Sequence, residues 1–545
     1  MQVLFSINDF KHSDLLFVKK IKNMRIKGLA ILPAIVIYSL STYAQDVTEA
    51  YNLSNLTVQG TARSMGFGNT LGSVGGDFSA LSVNPAGIGI YRSSELTFTP
   101  ALRINSATGD YSGTTSSDNN TRFNINNFGI VLTNAHKGKR YDHRSWKTVS
   151  FAFGMNRVAD FNHDYSYSGV NNTSSATQVF ESDANKYPGD AASAGPSSAL
   201  GYMGNQSGLL VINSSGQYAS VVPFTGGVNQ LKSVHETGGI NEYVISLGGN
   251  YKEKLMLGIT IGIPSIYYNS NSIYTESLAA GNNAPNPDNF NSFTYGQALN
   301  ITGTGINAKL GAIYKFSDYF RLGVAFHSPT YYSITDIFDP SLSSNSQGNS
   351  TYLTTNDALM ENRFDYHLST PWKGVVSATV MLNKFGFITA DYEYVNYKSM
   401  KYRFPDGYDY GAGLSYQQEA NDMNQVIRNT YKGASNFRLG AEGRFAKYFM
   451  ARAGFGYYGD AYSETGKSAT PASYTTERID LSCGLGFRFK HFFTDLGLVH
   501  SMYKGYEQPY VADYSNVVSG LPATVPTAKI NYSINNVALT VGVKI

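Results

Sequence analysis

The last nine residues of the chain alternate strictly between apolar and polar or small side chains. One face carries Val537, Leu539, Val541, Val543 and Ile545. The other face carries Ala538, Thr540, Gly542 and Lys544. Successive side chains of a β-strand point to opposite faces, so this pattern predicts a strand with one apolar face and one polar or small face.

The same alternation recurs from about Ser94 to the end of the chain. Its apolar residues include Leu96, Phe98, Leu102 and Ile104, the odd positions of 255–263 and the odd positions of 479–489. The opposite faces are rich in Gly, Ala, Ser and Thr, with scattered Arg and Asp. The outer face of a soluble β-sandwich is usually more charged, whereas the lumen of a membrane barrel carries such residues.

Composition favours the barrel over other classes. Only 15% of the 545 residues are charged and 14% are aromatic, with 54 Gly and 41 Tyr. Mean hydropathy is −0.23, and beyond the N-terminal region no stretch approaches the roughly 20 apolar residues of a membrane-spanning helix. The net charge of +3 is too small to indicate a nucleic-acid partner, and the one Cys excludes an internal disulfide framework.

We predict an all-β fold, a transmembrane antiparallel β-barrel of about 14 strands with an N-terminal hatch in the lumen. The predicted strands lie near 94–106, 121–135, 146–160, 241–252, 254–270, 301–316, 319–335, 362–382, 385–403, 424–445, 447–460, 475–490, 491–506 and 529–545.

Connection lengths alternate between these strands. Short ones lie around Lys252-Glu253, Ser317-Asp318, Asn383-Lys384, Ala446-Lys447 and Lys490-His491. Long ones include 161–240, 271–300, 336–361, 404–423, 461–474 and 507–528. Outer-membrane barrels have short periplasmic turns and long extracellular loops, so the alternation predicts the orientation as well as the fold.

The 161–240 connection is too long for a bare loop. Pro196-Ser197-Ser198-Ala199-Leu200 predicts the start of a short helix, and Leu209-Leu210-Val211 and Val221-Val222-Pro223-Phe224 add apolar side chains. Two interpretations remain open. The apolar side chains form either an exposed landing surface for hydrophobic ligands or the packing of a lid over the barrel mouth.

Residues 1–44 read as an N-terminal extension followed by a signal peptide. Met24-Arg25-Ile26-Lys27 is basic, the segment from Gly28 to Leu40 is apolar, and Thr42-Tyr43-Ala44 offers a small-residue cleavage site. Met24 is therefore a candidate start codon in place of Met1, the alternative being a genuine N-terminal anchor helix. Export together with a barrel predicts the outer membrane of a Gram-negative bacterium.

Residues 45–93 do not alternate and are rich in Gly. Glycines permit tight turns and close backbone approach, as a plug confined in a barrel lumen requires. Asp77 is suited to cap a short helix through Leu81, and Asn84-Pro85 to end it.

This Gly-rich segment ending in Asp77…Asn84-Pro85-Ala86, ahead of an alternating barrel, resembles the FadL family of outer-membrane channels for hydrophobic compounds. The resemblance covers roughly the whole mature chain. It implies a gate or hatch at Asp77, Ser79, Asn84, Pro85, Ala86 and Gly87. Two features depart from the family: the 161–240 insertion makes the chain long, and the last residue is Ile545 rather than an aromatic residue.

The function that this resemblance implies is passive uptake of hydrophobic small molecules, above all long-chain fatty acids. Insertion into the outer membrane, among its lipids, would then depend on the barrel-assembly machinery. Related barrels serve as shuttle or plug subunits of the type IX secretion system in Bacteroidetes, and a partner subunit of that kind is the first alternative. A heme receptor is the second.

A fatty acid requires an apolar slot with a cation at one end for its carboxylate. The inward-facing candidates are Arg103, Arg321, Arg438 and Arg452. A lumen salt network is the competing role for these arginines, and we expect Asp391 and Glu393 to form one with Arg438, Glu442, Arg444 and Arg452, because buried charges need partners.

The sequence offers no enzyme signature. Gly-x-Ser-x-Gly is absent, as is a His/Cys cluster at metal-ligand spacing, so we expect no catalytic residue, metal or cofactor. His163, His235 and His327 are the candidate axial ligands for the heme alternative, and His367 and His500 lie on or near predicted strands. Cys483 shares the lipid-facing parity of its strand, which favours a small apolar filler.

Overall fold

The computed structural model describes residues 47–135, 141, 143–188, 198–354, 363–409, 414–469, 475–510, 516–519 and 525–545. The predicted extension and signal peptide, and Pro196 and Ser197 of the predicted helix start, lie outside these residues.

Strands dominate the described chain. They are β1 Glu95–Tyr111, β2 Thr114–Ala135, β3 Trp146–Asp160, β4 His163–Asn171, β5 Leu210–Ile212, β6 Tyr218–Ser220, β7 Val228–Tyr251, β8 Leu255–Leu278, β9 Ser292–Lys315, β10 Phe320–His327, β11 Tyr331–Ser346, β12 Asn349–Thr354, β13 Arg363–Ser369, β14 Lys373–Met381, β15 Gly386–Asn396, β16 Lys401–Arg403, β17 Tyr408–Asp409, β18 Leu414–Ser415, β19 Gly433–Arg444, β20 Phe449–Tyr458, β21 Arg478–Arg488, β22 Phe492–Glu507 and β23 Ala528–Lys544.

Fourteen of these strands close into an antiparallel barrel, which confirms the predicted fold class. Their order around the barrel is β1, β2, β3, β7, β8, β9, β10, β14, β15, β19, β20, β21, β22 and β23. The last strand pairs with the first, for example Val543 with Leu96, so no barrel edge is left open.

Side-chain alternation places apolar residues outside and polar residues inside, as the sequence predicts. On β1, Leu96, Phe98, Leu102 and Ile104 are exposed, whereas Thr97, Thr99 and Arg103 are buried. Cys483 also lies on the exposed face. An apolar outer surface on a closed barrel is the arrangement that a lipid bilayer requires.

The tight turns predicted at one end of the barrel are confirmed. At that end β7 runs into β8 within three residues, and β9–β10, β14–β15, β19–β20 and β21–β22 are equally close in sequence. The opposite end carries the long connections, with one exception. Strands β1 and β2 extend beyond the predicted 94–106 and 121–135 and meet in a tight hairpin at Ser112-Gly113, where φ is positive at both residues.

Several predicted elements are wrong. The intervals 271–300 and 336–361, predicted as connections, contain the end of β8 and the start of β9, and the end of β11 and all of β12. The predicted strands 319–335, 362–382 and 385–403 are each divided into two. Residues 424–430, predicted as the start of a strand, belong to the helix Tyr416–Thr430, which begins with a capping box at Ser415 and Gln418. Its apolar face buries Ala420, Met423 and Ile427, a helical rather than a twofold spacing.

The 161–240 insertion forms a packed cap on the long-loop end. It contains β4, the helices Thr177–Lys186 and Ala199–Gln206, the β5–β6 hairpin and the 3-10 helix Phe224–Gly226. Leu209, Leu210, Val221 and Val222 are all buried there, in one core with Tyr274 of β8 and Phe293 of β9. Of the two open interpretations, this packing favours the lid.

Residues 47–93, here called the inner segment, run through the lumen. They form the helices Val47–Ser54 and Ala62–Gly66 and the 3-10 helices Phe78–Ser82 and Pro85–Ile90. The predicted cap is confirmed, because the Asp77 carboxylate accepts the Ser79 N–H at 3.0 Å. Elsewhere the described residues include the 3-10 helix Tyr397–Ser399 and the helix Glu464–Ala469.

No helix within the described residues has the length and apolar character needed to cross a bilayer.

Candidate functional site

A belt of barrel glycines surrounds the inner segment. At each of these positions, an added Cβ would press against or overlap inner-segment atoms: Gly129, Gly154, Gly248, Gly258, Gly311, Gly323, Gly440, Gly454, Gly484 and Gly497. Several are neighbours in register, such as Gly248 with Gly258 and Gly440 with Gly454. The missing side chains let the inner segment lie directly against the barrel backbone.

Hydrogen bonds tie the inner segment to the wall on several sides. The Ala62 N–H donates to Thr540 Oγ1 at 2.7 Å, the Gly72 N–H to Asp391 Oδ2 at 3.1 Å, and Ser82 Oγ to Glu242 Oε2 at 2.8 Å. These three barrel partners lie on β23, β15 and β7, which are well separated around the lumen. The segment is therefore anchored around its circumference.

Asn84 makes the densest set of these contacts. Its side chain is fully buried. Its Nδ2 donates to Gly72 O at 2.6 Å, to Val324 O at 3.2 Å and to Ala312 O at 3.3 Å, while Oδ1 accepts the Ala86 N–H at 3.1 Å. One amide thus joins two parts of the inner segment to β9 and β10.

The other predicted gate residues are also buried. Asp77 accepts both Thr61 Oγ1 and the Ser79 N–H, and Ser79 Oγ accepts the Thr61 N–H at 2.8 Å. Pro85 and Ala86 lie against Gly258 of β8, and Gly87 O accepts the Gly76 N–H at 3.1 Å. The sequence motif and the fixed centre of the inner segment coincide.

A buried charge network lies between the inner segment and β19–β22. Glu442 pairs with Arg452 at 2.7 Å and with Arg63 at 3.0 Å, and Arg452 also pairs with Asp495 at 2.8 Å. Burial opposes the charge on Arg63, but Glu442 and Asp77 together raise its pKa above the ordinary value. Arg63 therefore stays charged and holds the inner segment to the wall.

The predicted salt network is thus divided in two. Arg438 lies 3.7 Å from Asp391 and 3.6 Å from Glu393, apart from the group around Arg452. Arg444 was expected to take part in the salt network, and this prediction is wrong. Arg444 is the last residue of β19 and is exposed.

The main cavity of the lumen has a volume of about 520 Å³. The helix Val47–Ser54 and residues 55–59 form part of its lining, and β1, β3, β4, β8, β9, β21, β22 and β23 supply much of the rest. Apolar side chains such as Val158, Val499 and Ile534 alternate with polar ones over this surface. The wall is therefore mixed rather than purely apolar.

An aromatic cluster forms one side of the cavity. The rings of Tyr503 and Tyr532 stack at 4.7 Å, and His163 packs edge-on to Tyr532 at 5.6 Å. Tyr503 Oη and His163 Nε2 lie 2.9 Å apart. Burial raises the pKa of Tyr51, on the inner segment, to about 12, so its hydroxyl remains a donor. Flat rings with hydroxyls at their edges suit a flat, weakly polar ligand.

The arginines of the cavity are already paired. Arg103 Nε lies 3.1 Å from Asp160, and Arg103 Nη2 lies 3.0 Å from His163 Nε2. Arg478 pairs with Asp480 at 3.0 Å and donates to Thr57 Oγ1 at 3.0 Å. A ligand carboxylate would have to compete with these partners.

The four arginines predicted as carboxylate anchors are not brought together. Arg103 lines the main cavity, and Arg438 lines a separate one of about 50 Å³. Arg321 Nη1 donates to Val74 O of the inner segment at 3.4 Å, and Arg452 is enclosed by Glu442 and Asp495. Their geometry favours structural roles for Arg321, Arg438 and Arg452.

The three histidines considered for heme each have a partner. His163 contacts Arg103 and Tyr503, His235 Nδ1 lies 2.6 Å from Asp164, and His327 Nε2 lies 2.7 Å from Val83 O. Only His163 of the three lines the main cavity. Within the described residues, no group of three or more His, Cys, Asp and Glu side chains is placed to hold a metal ion.

No protein-family model matches the chain, and no curated protein matches it either. Solved structures do. The chain is similar to the Ralstonia pickettii toluene transporter TbuX, with 16% identity, TM-score 0.48, and coverage of 91% of this chain and 100% of that one. It is also similar to a Pseudomonas aeruginosa FadL homologue, with 11% identity, TM-score 0.49, and coverage of 90% of this chain and 98% of that one. The Pseudomonas putida toluene transporter TodX is similar as well, with 13% identity, TM-score 0.46, and coverage of 90% of this chain and 99% of that one.

Function has to be inferred from the lumen itself.

Two parts of the site were missed from the sequence. The glycine belt is visible as Gly on the polar faces of successive strands, but only the register aligns those glycines with the inner segment. The aromatic cluster joins His163, Tyr503 and Tyr532, which are far apart in the chain. High Tyr content is its only sequence signal.

Proposed function

We propose that this protein is an outer-membrane channel for the passive entry of small hydrophobic compounds. The observation that carries the proposal is the cavity of about 520 Å³ inside a closed barrel, lined by tyrosines, aliphatic side chains and paired charged groups. Such ligands cross the polar outer surface of the membrane poorly, so a partly apolar lumen offers them a path. The protein needs no energy source for this role.

The cavity chemistry favours a neutral ring compound with one or two polar groups. Tyr503, Tyr532 and His163 offer ring faces and hydrogen-bonding edges. Arg103 is engaged by Asp160, which also pairs with Arg157, and Glu236 lines the same cavity. A ligand carboxylate would meet these acids, and its desolvation costs more than that of a neutral hydroxyl.

Long-chain fatty acids are the second candidate. Arg103 lines the cavity, shares Asp160 with Arg157, and would be the cation for a fatty-acid carboxylate. On this alternative the hydrocarbon chain lies along Val499 and Ile534, with its head group towards Arg103.

The gate in this proposal is the Asn84-Pro85-Ala86 region. Its anchoring means that a ligand leaves the cavity only when this region moves or when the wall beside it opens. Pro85 has no N–H to donate, so the segment depends on Asn84 for much of its attachment.

Binding to purified full-length protein tests the ligand assignment. The probes are 1-naphthol, a neutral ring with one hydroxyl, and palmitate, each measured by equilibrium dialysis in mild detergent. Ser501→Trp fills the cavity, and Met502→Trp on the outward face of the same strand is its matched control. We expect Ser501→Trp to weaken 1-naphthol binding about tenfold or more, a free-energy loss of ~1.4 kcal/mol.

Palmitate binding that exceeds 1-naphthol binding and falls in Arg103→Gln would support the fatty-acid alternative. If Ser501→Trp binds each probe as tightly as the wild type does, the cavity is not the binding site.

A further inference from the structure

A shallow apolar depression lies on the outer wall of the barrel, at the end with the short turns. Its volume is about 580 Å³, and its walls are Trp146, Val149, Leu247, Leu257, Ile259 and Leu310, with glycines of β7, β8 and β9 at its base. It faces the bilayer, on the opposite side of the wall from the inner segment.

The depression exists because Gly249 points outward without a side chain. Its register partners are Val149 on β3 and Leu257 on β8. A Cβ at Gly249 would lie 3.1 Å from the Trp146 ring, which covers it. Val149 is 46% exposed and Leu247 is 52% exposed, so both side chains project from the wall at the edge of the depression. The space between them is open to a hydrocarbon chain.

Two lysines flank the depression at the turn. Lys252 and Lys254 are exposed, and each lies three residues from the Gly249–Leu257 register pair. The acid between them, Glu253, is neutralised by Arg92 at 2.9 Å. Among the described residues neither lysine has an ion-pair partner, so two positive charges face the membrane interface.

We propose that the depression and these two lysines bind one anionic phospholipid of the inner leaflet. One acyl chain lies against Leu247, Leu257 and Leu310, and the phosphate group is held by Lys252 and Lys254. Ammonium groups form strong, charge-assisted bonds to phosphate, and Trp146 lies at the interface where aromatic side chains are favoured. The short turns are expected on the periplasmic side, so the lipid is a phospholipid rather than a lipopolysaccharide.

The lipid site and the gate motif share one piece of wall. Gly258 and Gly311 line the depression, and their inner sides press against Pro85 and Asn84. The bound chain therefore supports β8 and β9 directly behind the residues that hold the inner segment.

Native mass spectrometry of the full chain, released from nanodiscs, tests this site. The nanodiscs contain phosphatidylglycerol and phosphatidylcholine of equal chain length. Lys252→Gln/Lys254→Gln removes the charges, with Lys447→Gln/Lys490→Gln at two other short turns as the control. Val149→Trp fills the depression, and Val376→Trp, at an exposed side chain of β14, is the control.

We expect the wild type and both controls to retain one phosphatidylglycerol molecule. The double lysine variant should retain it roughly 30-fold less, since each lysine near a lipid phosphate contributes a factor of about five. Val149→Trp should also lose it. Equal retention of phosphatidylcholine and phosphatidylglycerol, or undiminished retention by either variant, would overturn the proposal, as would displacement of the lipid by palmitate alone.

Discussion

At the residue scale, Asn84 is the side chain on which the inner segment most depends. Its amide is fully buried and serves three carbonyl groups and one N–H. Carbonyl groups left without donors in a buried site cost roughly 1–3 kcal/mol each, with partial compensation by neighbours.

Asn84→Ala should therefore loosen the inner segment without unfolding the barrel. We expect faster amide hydrogen exchange in peptides covering 72–90 and unchanged exchange in β20–β23, because fourteen paired strands carry the stability of the barrel. Heat-modifiable gel mobility checks that the barrel is intact. Exchange in 72–90 that matches the wild type would show that the surrounding packing, rather than this amide, holds the segment.

Sequence reasoning at this scale was accurate where a residue acts locally. Asp77 caps the short helix beside it, as predicted. Asn84 was predicted only to end that helix with Pro85, and it also caps the next one, Pro85–Ile90. It failed for residues whose partners are distant. Nothing local to Arg444 distinguishes it from Arg452, yet Arg444 is exposed and Arg452 is buried between two carboxylates.

At the scale of elements, strands facing the bilayer were predictable and the parts beyond it were less so. Within the bilayer one face must be apolar, and this produces the twofold pattern of β1 or β23. Beyond it, β11 and β12 pair with other strands in water and need no apolar face, so 336–361 read as a loop. The helix Tyr416–Thr430 was missed because its buried residues follow a helical period within a predicted strand.

The glycine belt is the element-scale feature that fixes the inner segment, and one strand supplies a matched test. On β19, a Cβ at Gly440 would overlap Phe67 O and Thr70 Oγ1, whereas a Cβ at Gly443 meets nothing within 4 Å. Gly440→Ala should therefore displace the inner segment and lower thermal stability by about 1–3 kcal/mol, as overpacking does.

Gly443→Ala should be neutral in the same unfolding assay. Equal stability of the two variants would mean that the inner segment yields to a methyl group and that the belt does not fix it.

At the scale of the whole molecule, the account requires one orientation in the membrane. Cysteine placed at Asn349 in the exposed β11–β12 hairpin should react with a membrane-impermeant maleimide in intact cells, whereas cysteine at Asp318, in a short turn, should not. Ser344, earlier on the β11 side of the same hairpin, is not a suitable labelling position, because it is buried and its Oγ donates to Ser207 O at 2.5 Å. Both variants carry Cys483→Ala. Labelling of the cysteine at Asp318 but not of the one at Asn349 would show that the orientation is the reverse of the one expected.

The central claim is that small hydrophobic compounds enter through the lumen cavity, and initial-rate uptake of radiolabelled 1-naphthol tests it most directly. Cells would express the wild type, Ser501→Trp or Met502→Trp at equal surface amounts, beside cells without the protein. Ser501 lines the cavity, whereas Met502 is 38% exposed on the outer face. We predict that the wild type and Met502→Trp raise uptake above the background and that Ser501→Trp returns it to background. An initial rate of 1-naphthol uptake in Ser501→Trp cells equal to that in wild-type cells would contradict the claim.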